Sequence, residues 1–594
     1  MVVVSSRQRQ RVLWLVFFVG GIVCLWRVGV TGGTDETPPL FAAAGRAMAE
    51  TGDWLTPRVN GLPRYDKPPL VYWLMALGYS FPGAAVWDPL GSVAARLPSA
   101  LASMAMMLGL ADTLLRWPQR QDASPGQTAL ATALAFALSP LVLVWSRTAV
   151  SDALLTALLG LSLLLQWRRF ADPERVRWWP AWLVLGLAVL AKGPVAVVLS
   201  GITLLLFSAI RWDVLTPWQR LKPLPGLLLT ALISLPWYVA ELVVEGQPFW
   251  DSFFGYHNLQ RFTSVVNDHL QPWWFFGPVM LIAALPFTAL LLLGLVEIPR
   301  GRPAPDQSLH QFAACWLLAV LLLFTSAATK LPSYWLPATP AASLLIVFAA
   351  KGRGRLFTLT WIVTLLLTFA LALGFWLSPQ WIPLINDPEM PTLAVDLMSS
   401  GLVLRAAVWF SLAVVLGMVL NRTGVMRLLV MQMPLFLFHI TALIPIAELG
   451  DQLRQVPVRQ AAAQMKTVRR SGEPIAMVGA MKPSLHFHTG QVVLYEGRSD
   501  GALVNLVDRL AYERRRGWSG RPLSAPDASS TVLMVIDRGT AKQKHWSGLN
   551  PEVLGRYGIY ELWRMDRRRL KRRAKELEAD GVEADWRVPR PERF

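Results

Sequence analysis

The sequence predicts an α-helical polytopic membrane protein with about thirteen transmembrane helices, followed by a small C-terminal α/β domain. Three observations predict this fold class. The 594 residues are 54% hydrophobic and only 16% charged, whereas soluble domains carry roughly 25% charged residues. The mean hydropathy is +0.40, and apolar stretches long enough to cross a bilayer recur along the chain. From about residue 451 the pattern changes to short apolar strands bounded by Gly, Pro and charged residues.

The membrane part is predicted over residues 1–450. Its first apolar run follows the basic stretch MVVVSSRQRQR and lacks a small-residue cleavage site, so we interpret it as a retained signal-anchor helix. Only AKGP separates the two runs near 179–210, and its proline favours a tight reversal over one continuous helix. The predicted spans lie near 12–30, 92–115, 127–145, 149–167, 179–193, 194–210, 224–244, 273–297, 310–328, 334–350, 356–377, 401–420 and 428–447.

The distribution of basic residues predicts the orientation. With a cytoplasmic N-terminus every predicted inner loop is basic, whereas the outer loop 378–400 has no Lys or Arg. The net charge of +18 therefore indicates topology and attraction to anionic lipid head groups rather than nucleic-acid binding. We expect a multi-pass protein of the inner (plasma) membrane whose C-terminal part is extracytoplasmic. The exceptional cations on the outer side, which require a local anionic partner, are Arg58, Lys67, Arg147, Lys192, Arg261 and Lys330.

Residues 451–594 are predicted to form the extracytoplasmic α/β domain, ending in a basic charged tail. Three segments, 465–480, 491–497 and 530–539, read as strands, and ALVNLVDRLAYERRR between them has helical spacing. The charged stretch from Arg564 is interpreted as a solvated helix or tail, with contact to anionic lipid as the alternative. His486 and His488 are candidate ligand contacts, and surface hydrogen bonding is the alternative for both.

The first outer loop, residues 31–91, carries the densest set of polar groups. Asp35 and Glu36 follow the first apolar run. A carboxylate at this boundary can act as a general base, or it can cap the short amphipathic helix that follows. Further on, Tyr65 and Asp66 precede Lys67 and a Pro-Pro pair. The fixed backbone of the prolines suits a lysine held toward a phosphate, and a helix start with a snorkelling lysine is the alternative.

Other charged groups fall on the same predicted face. Asp152 lies at the start of a predicted helix, where its negative charge can interact favourably with the helix dipole. Alternatively, it can pair with Arg147 or with a cation of the first loop. Several cations and phenols near one or two carboxylates fit a lipid-linked phosphate substrate, because cations bind phosphate and stabilise it as a leaving group. The remaining groups on this face are Lys192, His257, Arg261, His269, Lys330 and Tyr334.

Segments of residues 10–350 resemble the membrane glycosyltransferases of the GT-C class. The resemblance is nearest to the aminoarabinose transferases that modify lipid A and to their protein-mannosyltransferase relatives. Beyond residue 350 it is mainly architectural. The segments that carry it are TDE, TGDWLTPRVNGLPRYDKPPLVYWL, ARLPSALA, RTAVSDALL, GLAVLAKGPVA, FFGYHNLQRF, PWWFF and KLPSYWLPATPAASLL.

The resemblance implies a GT-C fold and the inverting transfer of a sugar from a polyprenyl-phosphate donor to an extracytoplasmic acceptor. The acceptor would be a lipid A-like glycolipid, a polysaccharide or a protein. The sequence contains no metal motif, so we expect metal-independent catalysis, with no metal and no cofactor. A transporter or flippase of a lipid-linked sugar is the alternative, but it is expected to show inverted repeats and ionisable residues near the bilayer midplane, which the sequence does not show.

The resemblance also implies residue roles. Asp35, with Glu36 beside it, corresponds to the first-loop catalytic carboxylate, and Asp152 to the acidic residue that opens the fourth helix. Asp66 departs from the aminoarabinose transferases, which usually have Glu before Lys-Pro-Pro, and its shorter side chain reaches less far toward a sugar. Expected phosphate ligands are Lys67, Arg261 and Tyr334, with Arg58, Lys192 and Lys330 as helpers. Expected sugar or acceptor contacts are Tyr65, Asp66, His257 and His269.

Overall fold

The computed structural model describes residues 4–33, 36–119, 122–265, 270–419, 424–512 and 529–586. Its N-terminal part is a bundle of helices around one large apolar core. The first helices are α1 (Ser6–Leu25), α2 (Thr37–Thr51), α3 (Leu70–Tyr79), α4 (Ala84–Trp87), α5 (Ser92–Arg116), α6 (Pro125–Ala137), α7 (Pro140–Trp145), α8 (Asp152–Ala171), α9 (Trp179–Lys192), α10 (Val195–Ile210), α11 (Leu215–Leu221) and α12 (Pro223–Glu245).

The second half of the bundle contains longer helices separated by short irregular pieces. A π-helix, Trp250–Gln260, follows the single turn α13 (Gln247–Phe249), and a 3-10 helix, Pro332–Ala338, precedes α18. The remaining helices are α14 (Arg261–Thr263), α15 (Phe276–Ala283), α16 (Thr288–Val296), α17 (Leu309–Ser326), α18 (Thr339–Ala349), α19 (Arg355–Trp376), α20 (Ser378–Trp381), α21 (Leu393–Ser400), α22 (Leu402–Val419), α23 (Gly424–Phe438) and α24 (Ile444–Arg454).

Seven helices of the described chain are long and apolar enough to cross a membrane, or eight if the bent pair α15 and α16 forms one span. Shorter apolar helices are α3, α9 and α10. A polytopic helical membrane protein is thus confirmed, whereas the count of thirteen spans stays a prediction. Every predicted span overlaps an α-helix of the described chain or a pair of consecutive helical segments.

Two predicted spans are interrupted rather than continuous. The run 127–145 is divided at Ser139, whose extended backbone precedes Pro140 at the start of α7; proline disfavours helical geometry in the residue before it. The run 273–297 bends by 112° between α15 and α16, and Pro286 in the break lacks the N–H that would continue a helix. Apolar length alone cannot show such breaks.

Charged residues at the helix ends agree with the helix dipole. Asp152 lies in the first turn of α8, and Arg168 and Arg169 lie in its last turn, the arrangement in which the helix dipole and the side-chain charges attract. α8 packs between α5 and α9, and α5 also packs against α1. The ends of α8 therefore carry opposite charges on opposite faces of the bundle.

The C-terminal part contains a sheet of five strands, β3 (Ile475–Val478), β4 (Val493–Glu496), β5 (Thr531–Asp537), β6 (Glu552–Tyr557) and β7 (Tyr560–Asp566). Their order in the sheet is β4-β3-β5-β7-β6. β3 pairs in parallel with β4 and β5, whereas β7 runs antiparallel to β5 and β6. The helices of this part are α25 (Val456–Val468), α26 (Ser484–Thr489), α27 (Ala502–Tyr512), α28 (Arg538–Ala541) and α29 (Arg567–Ala579).

Both faces of this sheet are covered, which explains the continuous apolar runs in its central strands. Ala476 and Val478 of β3 face a core that includes α27 and α29, while Ile475 and Met477 face a core that includes α25. The predicted α/β domain is confirmed. The strands predicted within 465–480, 491–497 and 530–539 are present as β3, β4 and β5, although residues 465–468 belong to α25.

The predicted charged tail was partly wrong. Residues 564–566 end β7, and the Arg564 side chain is buried, with Nε 3.0 Å from Oε1 of the fully buried Glu473. Burial of this arginine is tolerated because its charge is paired and hydrogen-bonded. α29, which begins at Arg567, is the predicted charged helix, but it packs Leu570, Ala574 and Leu577 against the sheet and exposes only its other face.

Candidate active site

The first outer loop enters the site through a tight hairpin. β1 (Arg58–Val59) and β2 (Leu62–Pro63) are joined by Asn60 and Gly61, with φ angles of 55° and 77°. Asn-Gly is the preferred pair for such a two-residue turn because both positions need positive φ. The Arg64 N–H donates to the Pro57 carbonyl at 2.7 Å, so the residues that follow the hairpin leave it in a defined direction.

Asp66 is the centre of a hydrogen-bonded cluster at the end of this loop. Arg64 Nη2 donates to Asp66 Oδ2 at 2.6 Å, and the Tyr72 hydroxyl donates to Oδ1 at 2.9 Å. Burial by itself would raise the pKa of the Asp66 carboxyl, but Arg64 and Lys67 together hold it well below its usual range. Asp66 therefore stays ionised and orders the cations around it.

Lys67 meets further cations from other segments. Its Nζ donates to the Asp66 carbonyl at 2.7 Å and lies 3.8 Å from Asp66 Oδ2. Burial lowers the pKa of the Lys67 ammonium to about 8; Asp66 opposes this shift, while Arg261 and Lys192 add to it. These positive groups are close enough to repel each other, which favours an anion between them.

Lys192 is held by Asp152. The Lys192 ammonium donates to Asp152 Oδ1 at 2.7 Å, and it lies 5.3 Å from the ring centroid of Tyr334. Lys192 ends α9, and Gly193, at φ 100°, and Pro194 separate it from α10, so the two apolar runs are not one continuous helix. Asp152, Lys192 and Tyr334 are thus brought together from three separate segments.

Arg147 does not pair with Asp152, contrary to one alternative from the sequence. Its guanidinium donates instead to the carbonyls of Val23 and Trp26, at 3.1 and 2.7 Å, at the end of α1. Unpaired carbonyls at a helix C-terminus attract a cation. Among the described contacts, the Asp152 carboxylate therefore pairs with Lys192 and not with Arg147.

The segment that carries Arg261 is tied to the one that carries Lys330. The Thr329 N–H donates to the Arg261 carbonyl at 3.2 Å, and the Lys330 ammonium donates to the Ala327 carbonyl at 2.6 Å. Lys330 is thus engaged with the backbone of its own turn. The backbone bond places Arg261 beside the 3-10 helix that presents Tyr334.

His257 lies buried against the same cluster. Burial lowers the pKa of its imidazole to about 3, and Lys67 lowers it further while Asp66 opposes. Its Nδ1 has no hydrogen-bond partner among the described residues. His257 is therefore neutral near pH 7, with one buried ring nitrogen left without a hydrogen-bond partner in the described part of the chain.

Arg58 and Tyr65 belong to a second, neighbouring cluster on α12. The Tyr65 hydroxyl donates to Glu245 Oε2 at 2.7 Å, and Arg58 Nη2 donates to Oε1 of the same carboxylate at 3.0 Å. Arg58 also pairs with Asp53 at 3.3 Å. Glu241, which is buried and accepts a bond from Thr56, lies one helical turn away. The structure thus places Arg58 against carboxylates.

Of the two adjacent carboxylates of the first loop, Glu36 is among the described residues and Asp35 is not. Glu36 is exposed and immediately precedes α2. Asp35 lies outside the described residues, as does His269, so their predicted roles stay predictions. Among the described residues no group of three or more His, Cys, Asp or Glu side chains is arranged to hold a metal ion.

Sequence reasoning missed three features of the site. Arg64 was assigned no role from the sequence, although it holds Asp66; Glu245 lies in an apolar helix and gave no motif. The third is His486, for which surface hydrogen bonding was the alternative to a ligand contact. Its side chain is buried. Its Nε2 accepts from the Asn60 N–H at 2.8 Å, so the C-terminal domain holds the tip of the first-loop hairpin.

The contact between Asn60 and the backbone of Val493 resembles the pairing of two strands. The Asn60 side-chain amide donates to the Val493 carbonyl and accepts from the Val493 N–H, both at 2.8 Å. Because the Asn60 N–H can only donate, Nε2 of His486 must be the acceptor, and Nδ1 carries the proton toward the Gln491 carbonyl 2.7 Å away. Nearby, Arg46 donates to the Phe487 carbonyl at 3.3 Å.

Two families match parts of the chain. Dolichyl-phosphate-mannose-protein mannosyltransferase matches residues 66–239, and the C-terminal domain of cyanobacterial RgtA-type glycosyltransferase matches residues 468–581. The first match contains Asp66, Lys67, Asp152 and Lys192. The second covers the sheet of the C-terminal domain.

Curated relatives are similar to part of this chain. An undecaprenyl phosphate-alpha-4-amino-4-deoxy-L-arabinose arabinosyl transferase of Pseudomonas aeruginosa is 32% identical over 359 residues, 59% of this chain and 61% of the relative. One of Erwinia tasmaniensis is 30% identical over 328 residues, 53% of this chain and 55% of the relative. The alignments thus span about three fifths of these relatives' length.

The fold matches a solved structure over nearly the whole chain. The crystal structure of ArnT from Cupriavidus metallidurans bound to undecaprenyl phosphate has a TM-score of 0.74 and 21% identity, covering 94% of this chain and 97% of that one. Its apo state gives a TM-score of 0.71. The fold is therefore that of a GT-C membrane protein, as the sequence resemblance predicts. Within that class, the chain is similar to the aminoarabinose transferases.

Proposed function

We propose that this chain is a glycosyltransferase that moves a sugar from a polyprenyl-phosphate donor to an extracytoplasmic acceptor. The observation that carries the proposal is the convergence of Lys67, Lys192 and Arg261 from three segments, with mutual repulsion acting on Lys67. Cations that repel each other at a buried site are stabilised by a bound anion. A lipid-linked phosphate supplies that anion at the membrane surface.

In this proposal Lys67, Arg261 and Tyr334 hold the donor phosphate. Lys192 lies close to the Tyr334 ring, while Asp152 fixes its position through the 2.7 Å ion pair. Fixed cations of this kind stabilise negative charge that develops on the leaving phosphate. Lys330, which donates to its own turn, acts by shaping the segment that presents Tyr334.

Acceptor activation is assigned to the start of the first loop. Asp35 deprotonates an acceptor hydroxyl, or it positions an acceptor that is itself a phosphate and needs no base; Glu36 lies beside it. Asp66, Tyr65 and His257 are the proposed contacts to the sugar or acceptor, together with His269. Arg58, which faces Glu245, acts on the phosphate only if that ion pair rearranges.

The relatives support the donor class. The P. aeruginosa relative is named for undecaprenyl phosphate-linked aminoarabinose, and the C. metallidurans structure holds undecaprenyl phosphate. The acceptor is proposed at the level of a lipid A-like glycolipid, a polysaccharide or a protein. We further propose a membrane domain over 1–450, an extracytoplasmic domain over 451–594, and a cytoplasmic N-terminus in the inner membrane.

Transfer by the purified full chain tests this proposal. A labelled polyprenyl-phosphate sugar is incubated with the three acceptor classes, and new glycosidic bonds are measured by mass spectrometry. We expect product from the unchanged protein, loss of at least about 100-fold in Lys67→Ala, and unchanged transfer in Lys542→Ala, which removes an exposed lysine of the C-terminal domain. Normal turnover by Lys67→Ala, or donor movement across the membrane without product, contradicts the assignment.

A further inference from the structure

A cavity lies outside the candidate active site. It is an apolar groove of about 700 Å³ between α1, α5, α8 and α9. Trp14 and Phe17 of α1 form one wall, and Leu161 and Leu165 of α8 form another. Arg9, Asp112 and Arg168 stand at one end. The groove thus combines an apolar channel with a charged mouth.

The mouth contains three guanidinium groups around a single carboxylate. Arg9 Nη2 lies 2.5 Å from Asp112 Oδ1, and Arg116 Nε and Arg168 Nη1 each lie 3.0 Å from Asp112 Oδ2. One carboxylate neutralises one of the three charges. Two positive charges therefore remain beside an apolar surface, which suits an anionic ligand.

Two of the three arginines have donors to spare. The donors of Arg168 are occupied within the protein, because it also donates to Thr113 Oγ1 and the Gly109 carbonyl. Arg9 contacts Asp112 through Nε and Nη2, and Arg116 through Nε. Their side chains are 30% and 49% exposed. Among the described contacts, Nη1 of Arg9 and both Nη atoms of Arg116 are open to a ligand.

The groove mouth and the candidate active site lie at opposite ends of α8. Asp152 opens this helix, and Arg168 is in its last turn. Sixteen residues of helix correspond to roughly 24 Å, nearly the depth of a bilayer's hydrocarbon core. The arginines therefore lie at the head-group level of the leaflet opposite the active site.

We propose that this groove binds an anionic phospholipid of that leaflet. One acyl chain lies along Trp14, Phe17 and Leu165, and the phosphate accepts hydrogen bonds from Arg9 and Arg116. Arginine suits this role because its planar fork binds phosphate oxygens in pairs. The proposal is independent of the transfer reaction, since it uses none of the residues assigned to it.

Lipid binding by the full chain tests the groove. Delipidated protein in detergent is titrated with phosphatidylglycerol or with phosphatidylcholine of the same chains, and bound lipid is counted by native mass spectrometry. We expect one tightly held phosphatidylglycerol, and binding at least about 10-fold weaker in the double variant Arg9→Gln/Arg116→Gln. The matched control is Arg175→Gln, an 88% exposed arginine in the loop after α8, which should bind as the unchanged protein does.

A second variant covers the case in which loss of the arginines disturbs folding. Ala105→Phe fills the groove without changing charge, and it should also remove the tightly held lipid. Equal retention in the double variant and in Arg175→Gln overturns the proposal. So does equal binding of phosphatidylcholine, or recovery of a polyprenyl phosphate from the groove in place of phosphatidylglycerol.

Discussion

The Asn60 N–H donates to Nε2 of His486 at 2.8 Å across 426 residues of sequence. Both residues are buried, and six residues after Asn60 the same loop reaches Asp66. The C-terminal domain therefore fixes the hairpin from which the cation cluster extends. His486 is a positioning residue in the proposed reaction, since it contacts the loop and none of the groups assigned to the substrate.

Removing the His486 acceptor should loosen the loop. His486→Phe leaves the buried Asn60 N–H without a partner, at a cost of about 1–3 kcal/mol. We expect faster hydrogen exchange over residues 58–67 and a donor KM raised roughly tenfold. His486→Gln, which keeps a polar acceptor, should recover part of the loss. Exchange in His486→Phe that matches the half-buried control His488→Phe would refute the positioning role.

Donor binding should weaken above about pH 8. Burial lowers the pKa of Lys67 to about 8, and only its protonated form attracts phosphate, so KM for the donor should rise toward tenfold per unit as pH increases beyond that value. Lys67→Arg keeps its charge throughout this range and should show a flat profile. Steady-state kinetics from pH 6.5 to 9.5, a range chosen to bracket that value of about 8, checks this. The same rise in both proteins would show that another group titrates.

Asp66→Asn should move that pH dependence downward. The Asp66 charge opposes the effect of burial on Lys67, so its removal lowers the pKa of the ammonium below about 8. The amide can still accept a bond from Tyr72, which limits structural damage. The control is Asp53→Asn, because Asp53 pairs with Arg58 instead. A midpoint that is the same in Asp66→Asn and Asp53→Asn would contradict the assigned coupling.

Asp152 and Lys192 should act as one unit. Asp152→Asn and Lys192→Met each break the 2.7 Å ion pair, so the double variant should lose less activity than the product of the single losses, by about 5-fold or more. Arg147→Gln combined with Asp152→Asn should be additive, because Arg147 caps α1 instead. The cycle is measured on kcat/KM for the donor. Additive losses for Asp152 and Lys192 would contradict the coupling.

Local patterns predicted the helices and the central strands well. The helix break at AKGP, the helical character of the apolar runs and the strands around Ile475 and Leu533 each depend on neighbours in sequence, and all are present in the structure. The hairpin β6–β7 was not predicted, because β6 is largely exposed and lacks a clear alternation. Proline breaks such as that at Pro286 divide runs that look continuous in hydropathy alone.

Pairings between distant residues were harder to predict. The motifs predicted that Lys67, Asp152, Lys192 and Tyr334 share one face, but the nearest cation in sequence to Asp152 is Arg147, whereas its partner in space is Lys192. Glu245 was not predicted for a similar reason, since two acidic residues one turn apart at the end of an apolar helix, Glu241 and Glu245, do not show in the sequence which cation they face. Such contacts depend on helix packing, which periodicity does not encode.

The bond between Asn60 and the Val493 carbonyl also sets an order of events during synthesis. The two residues are 433 positions apart, and translation adds about 5–20 residues each second. The hairpin therefore waits roughly 20–90 s after its own synthesis for β4 to emerge. Until then the first loop has no fixed partner at its tip, so a chain stalled before Val493 is made would carry the cations of the first loop without the element that arranges them.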